Sequence, residues 1–432
     1  MTTETPDTEN SAAFTTQKDI FAEAVTWTVK HVPTRPAVPI LTGILVTAQE
    51  DNTVTLSVFD YETSSRCSIE ASVDTPGQFL VSGRLLGEIS RALPNQPVHI
   101  HVSGTSATIK CGRSTFSLVT MPVGDYPSMP DVEHWDGVIP YTQFQEAVSQ
   151  VAIACNRDER YPALTGIKID IDGSHISMVA TDRYRLAVRE LTWTPEAEDY
   201  SASLLVPAKI LQDIAKNLTG DITFAFVRRG DKELVAFSSQ GRVVTTLLLS
   251  APYPKVMGLF PAEFVVTTLV RTADLREAVR RAALVSEPKE PVKFTFTDDA
   301  LTLQAGRGGD AQAVEVIAST AEKGMENFSE PNASGKVGYN TGFNPSYINE
   351  VLGVLRAPVV RFSMTQPSNA VVITGLKEAP AEAASEQTGE SPAANAVNSG
   401  DDSAVNTGKS AIRVVEDDNP VYRHLLMPIM RN

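Results

Sequence analysis

Apolar positions along this chain follow two periods, one typical of an amphipathic helix and one typical of a half-buried strand. Positions at offsets 0, 4, 7, 8 and 11 fall on one side of a helix. A stripe with these offsets occurs three times, and the copies lie 123 and then 131 residues apart. The three stripes are Phe21, Val25, Thr28, Val29 and Val32; Phe144, Val148, Val151, Ala152 and Cys155; and Leu275, Val279, Ala282, Ala283 and Ser286. The chain therefore contains an internal repeat.

A second amphipathic helix recurs at shifts of 125 and 137 residues. Its copies are Leu85, Leu86, Ile89 and Leu93; Ile210, Leu211, Ile214 and Leu218; and Tyr347, Ile348, Val351 and Leu355. Each copy opens at a cap or first-turn residue, which is Ser82, Pro207 or Asn344-Pro345. The link 39–44 is matched 123 residues later by 162–167, and the closing strands end alike at Pro122, Pro252 and Pro428. These agreements predict three homologous domains.

The segments between the helices alternate with a period of two, as in 53–58, 98–102, 222–226 and 294–297. This pattern predicts an α+β fold in which each domain packs two helices on antiparallel sheets. Proline-rich links at 124–136 and 253–262 give domains at 13–131, 136–261 and 265–432. Residues 1–12 are predicted to be a disordered acidic extension, and about 378–408 a disordered insert in the third domain, because both lack periodicity.

Alternation also predicts a tight turn in the second domain. The strand 167–171 reaches Asp172-Gly173, a type I′ hairpin signal, and the chain returns through Ile176 and Met178. A third strand begins at Leu186. The residues between the second and third strands, Thr181-Asp182-Arg183-Tyr184, are therefore expected to present a ring and cationic side chains at one end of a sheet.

Composition limits the function classes. The chain has 432 residues, a net charge of −15 and no apolar run of 18 residues, so no transmembrane helix is expected. The N-terminus is polar and acidic, so we expect no signal peptide there, and Cys67, Cys111 and Cys155 lack metal-like spacing, which indicates buried thiols in a reducing cytoplasm. The acidic balance argues against a DNA partner unless the basic residues are segregated on one surface.

The sequence contains no recognisable catalytic or metal-binding constellation. Thr407-Gly408-Lys409-Ser410 resembles the end of a phosphate-binding loop, but that motif needs a glycine at Ser403. His99 and His101 share a strand face without neighbouring ligands, the glycine-rich 306–310 is expected to be a hairpin loop, and Asp298-Asp299 is expected to be a turn. We therefore expect no catalytic residue, no metal and no cofactor.

Basic residues recur on the predicted helices. Arg84 and Lys209 open two copies of the second helix, and Arg91 and Lys216 keep the same spacing of 125 residues. The third copy lacks them, but the first helix of that domain carries Arg276, Arg280 and Arg281. In an acidic chain this distribution suggests helices that line a positive inner wall, with acidic sheets outside. Contacts to phosphate alone are independent of sequence and allow movement along DNA.

The three repeats, the segment 180–190, Val206-Pro207-Ala208-Lys209 and the late Met427-Pro428 together resemble the beta sliding clamps of bacterial DNA polymerase III. The resemblance covers nearly the whole chain. It implies a head-to-tail dimer that forms a six-domain ring around duplex DNA. It also implies a non-catalytic processivity factor that tethers the polymerase III alpha subunit, the clamp loader (delta subunit), and other polymerases and repair proteins. It implies no membrane partner and a cytoplasmic location.

The resemblance further implies a pocket between the second and third domains for a partner peptide carrying Leu and Phe. The matching positions here are Leu164, Thr181, Arg183, Tyr184, Arg185, Leu186, Pro254, Leu259, Leu425, Leu426, Met427, Pro428 and Ile429. Tyr184 and Arg185 are expected to frame its rim. The DNA-binding positions implied are Arg35, Arg84, Arg157, Arg160 and Lys209, although Arg157 and Arg160 align less cleanly.

Two departures from the family pattern concern the pocket. The C-terminus carries one extra residue, which leaves the roles of Met430 and Arg431 open, and Gly258 stands where an arginine is common. Two alternatives from other classes remain at this point. One is a scaffold that keeps the pocket but does not bind DNA, and the other is a hydrolase or transferase with an unrecognised site.

Overall fold

The computed structural model describes residues 11–287, 290–306, 311–328, 330–331, 337–379, 412–415 and 421–429. Most of the predicted N-terminal extension, nearly all of the predicted insert, and Met430 and Arg431 lie outside these residues. The described chain forms two units. Unit 1 comprises Met1–Val148, Asp158–Ser177 and Leu191–Pro252, and unit 2 comprises Ser149–Arg157, Met178–Glu190 and Tyr253–Asn432.

The order of helices and strands is repeated three times along the chain. Repeat 1 contains β1 (Ser11–Thr16), α1 (Lys18–Val29), β2 (Gly43–Ala48), β3 (Thr53–Phe59), β4 (Thr63–Glu70), β5 (Ser72–Thr75), β6 (Gly77–Ser82), α2 (Gly83–Ala92), β7 (Val98–Ser103), β8 (Ser106–Cys111) and β9 (Ser114–Met121). Repeat 2 contains β10 (Gly137–Ile139), α3 (Tyr141–Ala152), β11 (Gly166–Asp172), β12 (His175–Thr181), β13 (Arg185–Thr192), β14 (Thr194–Pro195), β15 (Ser201–Pro207), α4 (Ala208–Asn217), β16 (Ile222–Arg229), β17 (Lys232–Ser239) and β18 (Arg242–Leu247). Repeat 3 contains β19 (Val266–Arg271), α5 (Thr272–Ala282), β20 (Val292–Phe296), β21 (Ala300–Ala305), β22 (Ala313–Lys323), β23 (Tyr339–Phe343), α6 (Pro345–Val354), β24 (Val359–Met364), β25 (Val371–Leu376) and β26 (Tyr422–Leu426).

Each repeat begins with a strand that the apolar pattern did not predict, namely β1, β10 or β19. In β1 the buried residues alternate strictly, so the strand starts at Ser11, inside the segment predicted to be disordered. These strands are three to six residues long, too short for a period of two to stand out before a helix.

The six predicted helices are present, but the last position of each first-helix stripe lies beyond the helix end. In all three repeats that residue donates a backbone hydrogen bond to the third residue before it: Val32 to Val29, Cys155 to Ala152 and Ser286 to Ala283. This bonding is the tighter turn that often ends an α-helix. A repeated turn continues the same apolar face for one residue without lengthening the helix.

The second helices differ in how they begin. The Asn344 side chain accepts a hydrogen bond from the Ser346 N–H at 2.9 Å, whereas Ser82 makes no such cap and Pro207 has no side-chain acceptor. In α2, Leu86 is buried but Leu85 is 38 % exposed, so the predicted stripe is one residue too wide there.

Unit 1 contains a sheet with the strand order β14-β10-β16-β17-β18-β4-β3-β2-β6-β9-β8-β7-β1-β5. Its strand β18 pairs antiparallel with β4, from Arg242 opposite Cys67 to Thr246 opposite Thr63. This pair, which joins repeat 1 to repeat 2, is called the first joint below. Unit 1 also contains the pair β15-β11, and the β11–β12 loop has Gly173 in the left-handed conformation (φ 54°).

Unit 2 contains a sheet with the order β13-β26-β25-β24-β19-β22-β21-β20-β23. Here β26 pairs antiparallel with β13, from Tyr422 opposite Arg189 to Leu426 opposite Arg185. This pair, called the second joint, has the same register as the first, with five residue pairs beginning opposite the fifth residue of β4 or of β13. In both joints, the equivalent strand of one repeat (β4 or β13) therefore pairs with the closing strand of the next repeat (β18 or β26).

Several strands in the described part of the chain have an edge without a neighbouring strand, and β9 and β22 are two that lie inside the strand order of their sheets. In unit 1, β9 pairs with β8 from Ser114 to Val119 and with β6 only at Thr120 and Met121. In unit 2, the first half of β22 pairs with β21, and the second half pairs with β19. On β22 the side chains of Val314 and Val316 are exposed. Such edges can accept a further strand.

Cys67, Cys111 and Cys155 are buried and form no disulfide with one another, which agrees with the prediction of buried thiols. Among the described helices, none combines the length and the apolar character needed to cross a membrane.

Candidate partner-binding pocket and basic residues

The turn between β12 and β13 is held by its own side chains. Asp182 accepts hydrogen bonds from the backbone N–H groups of Tyr184 and Arg185, both at 3.0 Å. The Thr181 hydroxyl donates to the Arg185 carbonyl at 2.7 Å and accepts from the Arg183 N–H at 3.1 Å. Aspartate and threonine form such local bonds readily, which is why this sequence makes a turn. Arg183 sits at its centre with φ 82°, a left-handed conformation that the surrounding bonds maintain.

The buried side chain of Arg185 connects this turn to helix α6. Its Nε bonds Asp182 at 2.9 Å, its Nη1 bonds Glu350 of α6 at 2.5 Å, and its guanidinium lies 4.3 Å from the ring centre of Tyr347. The side chain is 5 % exposed, so a buried cation is matched by two carboxylates and an aromatic face. The expectation that Arg185 frames the rim is therefore wrong. The residue lies at the base, because its charge is used within the protein.

Above the turn lies a cavity of about 380 Å³ within unit 2. It is lined by Thr181, Arg183, Arg185, Leu186, Leu259, Pro261, Thr365, Ser368, Asn369, Ala370, Leu425 and Met427. Behind Leu186 and Leu425 lies a buried apolar cluster with Val179, Val188 and Val256. Leu259 (58 % exposed) and Met427 (41 % exposed) stand at the opening. The cavity thus has a buried apolar floor and two exposed apolar side chains at its mouth, and this combination suits apolar ligand groups.

Of the thirteen predicted pocket residues, seven line this cavity: Thr181, Arg183, Arg185, Leu186, Leu259, Leu425 and Met427. Tyr184 is 55 % exposed, and its carbonyl accepts from the Met427 N–H at 2.8 Å, so it holds the C-terminal segment. The Ile429 N–H donates to the Gly342 carbonyl at 2.8 Å. The others lie elsewhere: Leu426 is buried in the second joint, Pro254 is exposed on the link, Pro428 follows Met427, and buried Leu164 belongs to unit 1.

Sequence reasoning missed five lining residues, which are Pro261 and the four residues Thr365, Ser368, Asn369 and Ala370 of the β24–β25 loop. The available signal was the turn-forming stretch Gln366-Pro367-Ser368-Asn369 between two apolar strands. That signal predicts a loop but does not tell which cavity the loop reaches. Gly258 has no atom within 4 Å of the position a Cβ would take, so the link is open at this point.

Behind the second joint, His424 is completely buried, and burial, with Arg185 nearby, lowers its pKa to about 3. The Tyr422 hydroxyl donates to the Gln150 carbonyl at 3.2 Å, which leaves it to accept from His424 Nδ1 at 3.0 Å. The imidazole is therefore neutral, with its proton on Nδ1. Burial also raises the pKa of the Cys155 thiol to about 12, so this thiol is inert.

The predicted DNA-binding residues are exposed and, in part, paired. Arg84 bonds Glu88 on the next turn of α2 at 3.1 Å, and Arg160 makes a two-pronged contact to Asp158. In unit 2, Arg157 lies 3.7 Å from Glu350. Arg35 and Lys209 are exposed and form no ion pair with another residue that the structure describes. Exposed pairs of this kind contribute little energy and can be exchanged for phosphate.

The basic residues of α5 behave differently. Arg280 pairs with Glu277, Arg281 pairs with Glu315 at 2.8 Å, and Arg276 donates to the Leu352 carbonyl. All three arginines of α5 therefore have partners within the protein, and two of them are in partly exposed ion pairs. No group of three or more potential metal ligands occurs among the residues described.

Comparison with known proteins gives a consistent match. Three family models, the N-terminal, central and C-terminal domains of the DNA polymerase III beta subunit, match residues 12–130, 138–255 and 257–385. The beta sliding clamp of Streptomyces coelicolor is 44 % identical over 370 residues, covering 85 % of this chain and 95 % of that protein. The beta sliding clamp of Micrococcus luteus is 44 % identical over 311 residues, covering 72 % and 99 %.

Among solved structures, the DNA polymerase sliding clamp of Bacillus subtilis superimposes with a TM-score of 0.80 at 23 % identity, covering 98 % of this chain and 100 % of that one. At this identity the likeness shows the fold. The curated relatives carry the assignment further. The chain belongs to the DNA polymerase III beta subunit family, the bacterial beta sliding clamps, which work as non-catalytic dimers that encircle DNA and bind polymerase and other clamp-binding proteins.

Proposed function

We propose that the cavity of unit 2 is where this clamp takes a short Leu/Phe-bearing peptide of its partners. The observation that carries the proposal is an apolar cavity of about 380 Å³ on a turn held by a buried ionic base. Cavities of about 300 Å³ and above accommodate small ligands, so two apolar side chains fit. The partners include the polymerase III alpha subunit and the delta subunit of the clamp loader, and the ring tethers the polymerase to DNA in the cytoplasm.

The roles of the pocket residues follow from their burial. Leu186 and Leu425 form the floor against which peptide anchors bury apolar area, and Leu259 and Met427 close over them. Thr181, Arg183 and Arg185 set the shape of the turn. Tyr184, Leu426, Pro428 and Ile429 act by holding the C-terminal segment beside the cavity, while Leu164 and Pro254 keep their assignment from family resemblance alone.

The DNA contacts are proposed for Arg35, Arg84, Arg157, Arg160 and Lys209. Their exposure and their weak pairing support contacts to phosphate that exchange easily, which sliding requires. Clamp domains are proposed at 13–131, 136–261 and 265–432. The strand edges of β9 and of the first half of β22 are proposed as the two different surfaces that meet in the head-to-tail dimer, since each lacks a second neighbour among the described strands.

The pocket assignment is tested by replacing Leu259 and Met427 with alanine together. We expect the affinity for a fluorescently labelled Leu/Phe peptide, measured by anisotropy, to fall at least about tenfold, because the apolar cover of the anchors is lost. The matched control is Met257→Ala, which removes an exposed methionine from the same link but does not line the cavity.

The wild-type protein, the double variant and the Met257→Ala control should all keep the mass of a dimer in solution. The assignment is wrong if the double variant binds the peptide as tightly as the Met257→Ala control does.

A further inference from the structure

One carboxylate connects the buried base of the peptide cavity to an arginine on the surface of unit 2. Glu350 lies on α6, and its Oε2 accepts from Arg185 Nη1 at 2.5 Å. Its Oε1 lies 3.7 Å from Nη2 of Arg157, whose side chain is 91 % exposed. A single side chain therefore contacts one residue that lines the peptide cavity and one residue that is proposed to contact DNA.

On its buried side, Glu350 acts on the turn between β12 and β13. Arg185 continues the contact through its Nε, which donates to Asp182 at 2.9 Å. Asp182 accepts from the Tyr184 N–H at 3.0 Å, and the Tyr184 carbonyl accepts from the Met427 N–H at 2.8 Å. Charge and hydrogen bonding thus form an unbroken series of contacts from Glu350 to the methionine at the mouth of the cavity. Contiguous networks of this kind can carry energetic coupling between two sites.

The first joint shows that the turn itself does not need this arrangement. The matching positions of repeats 1 and 2 hold other side chains: Thr63 for Arg185, Asp213 for Glu350 and Thr34 for Arg157. The carboxylate of Asp213 is kept, but neither arginine is present to share it. The turn forms nevertheless, because Asp60 accepts from two backbone N–H groups. The two arginines of the second joint therefore serve a purpose other than forming the turn.

The two arginines share the negative charge of Glu350 unequally. The contact to Arg185 is short and buried, and a buried cation depends strongly on its carboxylate partners. The contact to Arg157, at 3.7 Å, is longer than a hydrogen bond and is open to solvent. A phosphate can therefore replace Glu350 as the partner of Arg157 at little cost. The charge of Glu350 is then no longer divided, and its ion pair with Arg185 becomes stronger.

We propose that Glu350 couples the two functions of the clamp: when Arg157 contacts a DNA phosphate, Glu350 holds Arg185 more firmly and the cavity binds its peptide more tightly. The inference rests on the proposed function, which places Arg157 at the DNA and the peptide in the cavity. By linkage, a bound peptide raises the affinity for DNA by the same factor. The free energy of an exposed ion pair limits this factor to about two- to fivefold. A clamp on DNA thus holds its partners better than a free clamp.

The test measures the affinity of the full-length dimer for the labelled Leu/Phe peptide by anisotropy, without DNA and with a short duplex at saturation. The duplex should tighten peptide binding by the wild-type protein about two- to fivefold. Arg157→Gln should bind the peptide without DNA as tightly as the wild type does with DNA, because Glu350 is no longer shared. Glu350→Gln should bind the peptide more weakly than the wild type and should not respond to DNA.

The matched control is Glu88→Gln, which removes the carboxylate from another exposed arginine, Arg84 of α2, at a distance from the cavity lining. This control should respond to DNA as the wild type does. Tighter peptide binding by Arg157→Gln without DNA, with no further response to DNA, supports the coupling.

Three results would each overturn it: a DNA response that survives in Glu350→Gln, a wild-type peptide affinity that DNA leaves unchanged or lowers, and an Arg157→Gln variant that binds like the DNA-free wild type. The variant with Leu259→Ala and Met427→Ala is measured in the same assay without DNA. If it loses peptide affinity while the coupling fails, the cavity assignment still stands and only the role of Glu350 is rejected.

Discussion

The first and second joints are built on the same backbone and carry different chemistry. Each follows a three-residue turn headed by aspartate: Asp60 accepts from two backbone N–H groups at 3.0 and 2.7 Å, as Asp182 does at 3.0 Å for both. The central residue of each turn is left-handed, Tyr61 at φ 75° and Arg183 at φ 82°. The turn and the strand register therefore belong to the repeat, and neither of them decides what the joint binds.

The side chains beside the turn decide it. In the second joint, Leu186 and Leu425 form the floor of the cavity, whereas Ser64 and Thr245 occupy the matching positions of the first joint and share a hydrogen bond at 2.7 Å. A buried hydroxyl pair offers no apolar area to a peptide anchor and is already satisfied. On the helix side the contrast reverses, because neutral residues of the second joint match three cations of the first joint, Lys30, Lys216 and Arg242. One scaffold thus presents an apolar cavity at one joint and a cluster of cations at the other.

The largest expected effect comes from giving the second joint the side chains of the first. Leu186→Ser with Leu425→Thr should abolish measurable peptide binding and reduce the free energy of unfolding by about 4 kcal/mol, because two buried apolar side chains are lost. Peptide anisotropy and urea unfolding measure these effects. Leu186→Met with Leu425→Met is the control that keeps volume and apolarity, and it should bind. Peptide affinity that survives the Ser/Thr exchange would show that the floor does not distinguish the joints.

How far the sequence predicts these features depends on the range of the interactions. The helices, the turn 181–184 and the three repeats follow from local periodicity and from hydrogen bonds between residues that are close in the sequence, so the sequence alone predicts them. The burial of Arg185 does not, because its partner Glu350 is 165 residues away on α6. The same holds for the loop residues 365–370 in the cavity, which reach it only through strand pairing. Distances of that kind are set by tertiary structure.

A second prediction uses the pH dependence of stability to distinguish the two joints. His424 in the second joint faces Ala187, and its counterpart in the first joint is Val244, which cannot titrate. The pKa of His424 is about 3 in the folded protein and near 6.5 in the unfolded chain. Between these two pH values the unfolded chain therefore binds a proton at His424 and the folded protein does not. Its contribution is therefore complete above pH 6.5 and falls as pH decreases, by up to about 1.4 kcal/mol per pH unit.

Urea unfolding at pH 7 and pH 5 checks this effect. The wild-type protein should lose about 2 kcal/mol more than His424→Val over this interval. Exposed His101 on β7 supplies the control, since His101→Gln should lose as much as the wild type. Equal losses in wild type and His424→Val would mean that the acid sensitivity lies outside the second joint.

The smallest expected difference concerns two tyrosines, Tyr126 and Tyr253, in the links that follow repeats 1 and 2. The Tyr126 hydroxyl accepts from the buried Phe59 N–H at 2.9 Å, and burial raises its pKa to about 12. The Tyr253 hydroxyl donates to the Val179 carbonyl at the longer distance of 3.4 Å. Tyr126→Phe strands a buried donor and should cost about 1 to 2 kcal/mol. Tyr253→Phe removes a weak bond from an acceptor and should cost less, and Tyr61→Phe, at an exposed ring, should cost nothing measurable. Thermal unfolding of the three variants ranks them. If Tyr253→Phe costs as much as Tyr126→Phe, both links are fastened equally, and the contrast between the joints is confined to the side chains of the paired strands.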